Sequence, residues 1–259
     1  MDYETLKVAI GEDRVGIITM NRPEVRNAMN TQMMTDLRDL FTGFYVDPDV
    51  AACLVLTGAQ GAFCSGGDLR ERKGMTDATW RRQHAIVEQM VRAMHDCPIP
   101  IIAAVNGPAY AGGMEVALAS DFVYAAQSAR FALTEVTLGI LPGACGTQNL
   151  PRAVGVRRAK ELILTGRVIG AADAERFGLA NRVAADVEAA TAELVDELLG
   201  CAPVAVGLAK RLIDASARPA LSTTLELEVA AQELCAKTED VKEGVRAAAE
   251  RRAPNFQGR

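Results

Sequence analysis

Alternation and helical spacing divide the chain into a strand-containing part and an all-helical tail. Leu6 to Ile10 and Val15 to Met20 read as strands, with hairpin chemistry at Gly11-Glu12-Asp13 between them. A polar loop, Asn21 to Asn27, carries two arginines. Met33, Met34, Leu37, Leu40, Phe41 and Phe44 then recur at helical spacing behind Asn30 or Thr31, either of which can cap the helix. Ala52 to Thr57 reads as a buried strand, Gly58 to Asp68 as a glycine-rich loop and Asp77 to about Asp96 as a long helix. Ile101 to Val105 and Phe122 to Ala125 are further strands, and Arg130 to Ala132 is a short extended piece. Helical patterns run from Thr147 to Leu164 with a break near Gly155, then from Ala171 to Phe177, before a short strand at Leu179 to Val183. Beyond Asp186 the pattern predicts only helices, at about 186–199, 203–215, 221–236 and 239–250, punctuated by Pro203, Pro219 and Lys237-Thr238. The expectation is an α/β chain of repeated strand, strand, helix units over 1–196, with an all-helical region over 197–259.

Composition narrows the function classes. A chain of 259 residues suits one sizeable core with an appended element. A net charge of −5 argues against a broad nucleic-acid footprint. No apolar run approaches the ~20 residues of a membrane span. Met-Asp-Tyr-Glu at the start lacks the basic and then apolar blocks of a secretory signal. Six cysteines without a Cys-x-x-Cys pair read as reduced, mostly buried thiols, and the expected location is cytoplasmic. The two histidines, His84 and His95, can share a face of the long helix, but two histidines alone are a weak metal signal. No metal or separate cofactor is expected, and any chemistry falls to carboxylates and backbone.

The stretch from Val105 to Asp121 carries the strongest chemical pattern. A strand runs into a Gly/Pro-rich turn, and Gly112-Gly113 opens a nearly all-apolar helix. Glycines there let a ligand approach backbone N–H groups that have no partner inside the helix. Glu115 lies in the first turn, either as a catalytic base or as a cap of its own helix. A second glycine turn, Ser65-Gly66-Gly67, follows another strand. Two such turns can each aim an N–H at one carbonyl oxygen and stabilise it as it becomes an enolate. Glu135 is a second carboxylate, which reads equally as a solvated loop residue. The helix dipole would favour ionised Glu115. A pocket built from Val136, Leu138, Ile140 and Leu141 would favour protonated Glu135. Arg22, Arg26, Arg70, Arg72 and Lys73 suit either phosphate binding or an ordinary surface, while Asp68 and Asp121 read as structural.

Taken together, these residues resemble the enoyl-CoA hydratase/isomerase (crotonase) superfamily over essentially the whole chain. The motifs are Asn21-Arg22-Pro23 through Asn27-Ala28, the loop from Ala62 to Asp68, Ala104-Val105-Asn106-Gly107 through Glu115, and Glu135 with Leu138-Gly139. Pro142-Gly143, Gly146-Thr147-Gln148, Leu164-Thr165-Gly166-Arg167 and Arg252-Ala253-Pro254-Asn255-Phe256 complete the set. The resemblance implies a spiral of strand–strand–helix turns, with C-terminal helices that build a homotrimer or a dimer of trimers. It implies an oxyanion hole at Gly67 and Gly112, and catalytic Glu115 and Glu135. Val25, Arg26, Ala28, Ser65, Asp68 and Leu69 would hold the substrate's coenzyme A portion. Gly143 would line the place of the attacking water. The substrate would be an acyl-CoA thioester, whose coenzyme A is not a separate cofactor. Two glutamates fit the hydratase pattern better than that of the isomerases, which generally use one. The run from Asp68 to Arg72 with Met75 also resembles hydratases of branched, carboxylated enoyl-CoAs such as methylglutaconyl-CoA, where Arg72 would meet a substrate carboxylate. The same motifs also admit an isomerase or a dehydratase acting on a related acyl-CoA. They admit a non-catalytic acyl-CoA- or RNA-binding relative as well, although the acidic charge balance opposes RNA. Departures from the common pattern are Ala111 for a glycine, Leu133-Thr134 for a segment with proline, Cys145 for glycine and Asn149 for arginine.

Overall fold

The computed structural model describes residues 3–216 and 221–259. Pro219, expected to separate two C-terminal helices, lies outside the described residues. Strand β1 (Leu6–Ile10) pairs antiparallel with β2 (Val15–Met20), Leu6 opposite Met20. Helix α1 (Thr31–Val46) starts where the Asn30 side chain accepts the Met33 N–H at 3.0 Å. All six apolar positions expected on its inner face are buried. Strand β3 (Cys53–Gly58) runs parallel to β2. A single turn, α2 (Leu69–Arg72), leads to α3 (Asp77–Asp96), which Thr76 caps and which packs along α1.

The middle of the chain alternates between two sheets. Strands β4 (Ile101–Val105), β6 (Phe122–Ala126) and β9 (Arg182–Ala184) extend a six-stranded sheet in the order β1-β2-β3-β4-β6-β9. Strands β5 (Pro108–Tyr110), β7 (Arg130–Ala132) and β8 (Ile169–Gly170) make a second, three-stranded sheet in the order β5-β7-β8. Between them come helices α4 (Gly112–Leu118), α5 (Gly146–Val154), α6 (Val156–Thr165) and α7 (Ala171–Phe177). Helices α8 (Val187–Leu199), α9 (Pro203–Ala215), α10 (Leu221–Ala236) and α11 (Glu239–Glu250) complete the chain.

Two differences from the expected pattern have local causes. Strand β5 stands within what reads as a turn, because Pro108 and Tyr110 bracket Cys64: Cys64 N–H donates to Pro108 O and Tyr110 N–H to Cys64 O. The strand expected from Leu179 starts only at Arg182, since the N–H groups of Leu179 and Ala180 both close α7 on Ala174 O. The break expected near Gly155 is present: Gly155, at a φ of 78°, separates α5 from α6.

The large sheet is buried on both faces at β3 and β4. Leu54, Leu56, Ile101 and Ala103 join the α1–α3 core, while Cys53, Val55, Ile102 and Ala104 face Val187 and Val195 of α8. Parallel strands covered on both faces read as continuous apolar runs, as β3 and β4 do. Helix α8 therefore belongs to the sheet layer, packed against β3, β4, β6 and β9. After α11 the chain folds back, and Asp240 accepts the N–H groups of Gln257 and Gly258. Among the described residues, no cysteine forms a disulfide.

Candidate active site

Asn27 fixes the first glycine turn. It is wholly buried with a φ of 57°, its amide donates to Ala59 O and Ala62 O, and its carbonyl accepts the Arg22 N–H. Arg22 donates to Ala28 O and pairs with Asp68 at 3.0 Å, so it braces the loop rather than standing free for a phosphate. Asp68 also accepts the N–H groups of Arg70 and Glu71 and holds its carboxyl below the usual range; burial, the largest single effect, opposes this, and the bonds from Arg22, Arg70 and Glu71 with the Arg22 charge together outweigh it. Asp121 is structural too, accepting the Ile101 N–H and pairing with Lys210. Met29 then zips onto the turn, its N–H on Gly66 O and its carbonyl on the Asp68 N–H.

The second glycine turn is pressed against the first. Ala111 enters α4 at φ 48° and ψ −125°, a strained conformation for a residue with a side chain. A β-carbon on Gly113 would lie 2.2 Å from Cys64 O, so no other residue fits there without backbone movement. A β-carbon on Gly112 would stand 3.9 Å from Gly67 N and 4.0 Å from Glu115 Oε2. Gly67, Gly112 and Glu115 thus share one small space. Among the described residues, the N–H groups of Gly67 and Gly112 donate to no protein acceptor.

Glu115 does not cap its own helix. It is 3% exposed, and its Oε1 accepts the N–H groups of Ala144 and Gly146 at 2.7 and 2.9 Å. Cys145 lies between them with a φ of 68°, so the two N–H groups converge. Burial pushes the Glu115 carboxyl up to about 7; the Gly146 bond opposes this, the Glu135 charge adds to it, and the Ala144 bond and Arg72 oppose it. Glu135 opens a single turn of helix, is 5% exposed and leaves Oε2 without a hydrogen-bond partner. Burial pushes its carboxyl up as well, against its own backbone N–H and the charge of Arg72.

The expected division of charge therefore changes. Burial of Glu115 outweighs the dipole of the seven-residue α4. Leu138 and Leu141 are 55% and 67% exposed, so they do not form the pocket around Glu135. Two buried carboxyls that feel each other titrate as a pair.

The remaining candidates fall into place around this centre. Ser65 donates its N–H to Arg26 O and its hydroxyl to Val25 O, joining the arginine loop to the glycine turn. Ala28 is buried, Leu69 is exposed, and the Arg26 side chain is exposed. Gly143 is exposed, and a β-carbon there would lie 3.3 Å from His84 Nε2. The Arg72 guanidinium lies against Gly67, with Trp80 5.0 Å from its central carbon. His84 and His95 serve different contacts, since His95 Nε2 lies 3.3 Å from the Asn149 side chain. Among the described residues, no group of His, Cys, Asp and Glu is placed to hold a metal ion. Sequence reading missed Asn27 as the fixed point, and missed Ala144 and Gly146. Those two act through backbone N–H groups, which leave no side-chain signal; the Asn27-Ala28 motif did offer one for Asn27.

The chain is similar over most of its length to known proteins. A chain described as probable enoyl-CoA hydratase echA8 from Mycobacterium bovis is 39% identical, the match covering 99% of both chains. Enoyl-CoA hydratase domain-containing protein 2, mitochondrial, from Mus musculus is 38% identical over 93% of this chain and 84% of its own. The crystal structure of enoyl-CoA hydratase from Bacillus anthracis superposes with a TM-score of 0.94 at 38% identity, covering 99% of this chain and all of that one. That of enoyl-CoA hydratase from Mycobacterium smegmatis gives 0.91 at 28% identity, covering 97% of this chain and 98% of that one. The architecture is thus the crotonase fold. Residues 11–259 match the family described as Enoyl-CoA hydratase/isomerase, and with these relatives and this fold the chain belongs to that family.

Proposed function

We propose that this chain hydrates trans-2-enoyl-CoA esters reversibly to 3-hydroxyacyl-CoA. The observation that carries the reading is a pair of unpartnered N–H groups, on Gly67 and Gly112, converging beside two buried carboxyls. The thioester oxygen would accept both N–H groups. Because the two carboxyls titrate as a pair, the reacting form would be the one whose single proton sits on Glu135, and ionised Glu115 would take a proton from water as the hydroxide oxygen bonds to C3. The C2–C3 double-bond pair would shift into the thioester as an enolate held by Gly67 and Gly112. Protonated Glu135 would then deliver its proton to C2. The pair thus holds one proton before and after the addition: Glu135 gives its own to C2, Glu115 keeps the one taken from water, and passage of that proton back to Glu135 resets the site. The convergent N–H groups of Ala144 and Gly146 fix one oxygen of Glu115 and leave Oε2 facing Gly112.

The coenzyme A portion would run along the seam joining Val25, Arg26 and Ala28 to Ser65, with Leu69 at its edge. Asp68 shapes that seam through Arg22 rather than offering a free carboxylate. Gly143 would border the water. As written, the reaction needs no cofactor, since coenzyme A arrives as part of the substrate. The exposed Leu225, Val229, Leu234 and Val245 suit burial against further copies in a trimer or a dimer of trimers. A monomer in light scattering would count against that assembly.

A panel of short, long, branched and carboxylated enoyl-CoAs, followed by loss of the conjugated double bond with product identification, tests the activity. A 3-hydroxyacyl-CoA product is expected. Conversion of 3-enoyl to 2-enoyl esters without hydration would assign the isomerase reaction instead. Salt-sensitive RNA binding with no turnover would assign a binding protein.

A further inference from the structure

Arg72 is a half-buried cation that pairs with no carboxylate among the described residues. Its backbone is held tightly: Asp68 caps α2, and Glu71 accepts the Thr31 N–H and the Gln83 amide at 2.9 Å each. The side chain reaches back over the first glycine turn. A β-carbon on Gly67 would stand 2.8 Å from Nη2, 2.9 Å from Cζ and 3.2 Å from Nε, so the guanidinium lies flat against that glycine. Trp80 sits 5.0 Å from Cζ, within cation–π range. Nε is buried without a partner, and among the described residues Arg72 makes no ion pair. A cation placed this way is costly unless something nearby carries negative charge.

The groups facing it supply that charge. Asp68 is occupied by Arg22, and Glu71 is turned toward Thr31 and Gln83. Arg70 and Lys73 on the same turn are exposed. Behind Trp80, His84 stacks at 4.5 Å and directs Nε2 at Gly143. Across Gly67 and Gly112 lie Glu115 and, within reach of its charge, Glu135. Burial is the larger effect on both carboxyls, and the Arg72 charge works against it at each.

Resting on the hydratase reading, we propose that Arg72 is a positioning residue: it is the shared counter-ion that keeps one of the two glutamates ionised beside the oxyanion site. Burial alone would leave both carboxyls protonated to higher pH, and a doubly protonated pair has no base. A cation held by Trp80 at the edge of the site works against this without forming an ion pair that would freeze either glutamate.

The test compares full-length wild type, Arg72→Lys and Arg72→Met. Hydration of crotonyl-CoA, a neutral acyl group, is measured against pH, and the glutamate carboxyls are titrated by carbon-13 NMR, which needs no turnover. Arg72→Met is expected to lose roughly tenfold or more in kcat with little change in KM. Its acid limb and the carboxyl titrations should move up by about one pH unit. Arg72→Lys should restore most of both and controls for folding. Unmoved carboxyl titrations would overturn the proposal. So would a loss confined to KM for a carboxylated enoyl-CoA, which would make Arg72 a reader of the acyl group. If wild type hydrates no ester, the hydratase reading fails, and the NMR titration still decides the counter-ion role.

Discussion

Two glycines at the site are required for different reasons, and substitution separates them. Gly113 faces the Cys64 carbonyl, where a β-carbon would lie 2.2 Å from a backbone oxygen. Gly113→Ala should therefore cost about 3 kcal/mol of stability, because the strand-like Cys64 segment must move. Gly67 faces only the end of the Arg72 side chain, which can swing away. Gly67→Ala should fold with a loss of roughly 1 kcal/mol or less, yet lose activity as the guanidinium leaves its seat. Chemical denaturation of both variants, with circular dichroism as a fold check, measures the difference. Equal destabilisation would show that the two close approaches are not what distinguishes them. The glycines themselves were legible in the sequence. The reason each must be glycine was not, because it depends on which neighbour lies opposite.

At the scale of elements, the site is a meeting of loops set by one buried amide. Asn27 ties the Arg22 loop to Ala59 and Ala62, and so aligns Ser65 to Asp68 with Met29. Asn27→Ala would leave those backbone groups buried and unpaired, at a cost of about 3 kcal/mol. Thermal unfolding should show that loss; an unchanged midpoint would mean that water or a shifted backbone replaces the amide. Helices α1, α3 and those of the tail were legible because their apolar spacing and caps are local. The Thr31–Val46 helix is the plainest case, with every expected inner position buried. Strand β5 was not legible, because its pairing with Cys64 joins segments distant in sequence. The setting of Glu135 was misjudged for a related reason. The neighbours assumed to bury it, Leu138 and Leu141, turn outward, while tertiary packing buries the carboxyl itself.

For the molecule as a whole, the buried carboxyls carry a stability cost that follows pH. The Glu115 carboxyl is ordinarily half-protonated near 4.5 and in the folded chain near about 7. Between those values the folded state binds more protons than the unfolded state, so stability falls as pH rises through that window. Glu115→Gln removes the charge while its side-chain carbonyl can still accept from Ala144 and Gly146. Above the window it should raise stability by about 1–3 kcal/mol, and below it the gain should vanish. Unfolding measured on both sides of the window checks the sign; a variant less stable in alkali would contradict it. Such a gain on removing a carboxyl is expected where function, not stability, retains it. The central claim is that Glu115 takes a proton from water and Glu135 gives one to the α-carbon, beside the paired N–H groups. Steady-state hydration of crotonyl-CoA by Glu115→Gln and by Glu135→Gln, with affinity for a non-reactive CoA thioester measured alongside, tests it most directly. The account predicts that each variant loses roughly 10²–10⁴ in kcat while ester affinity stays within a few-fold. Full turnover in either variant would contradict it.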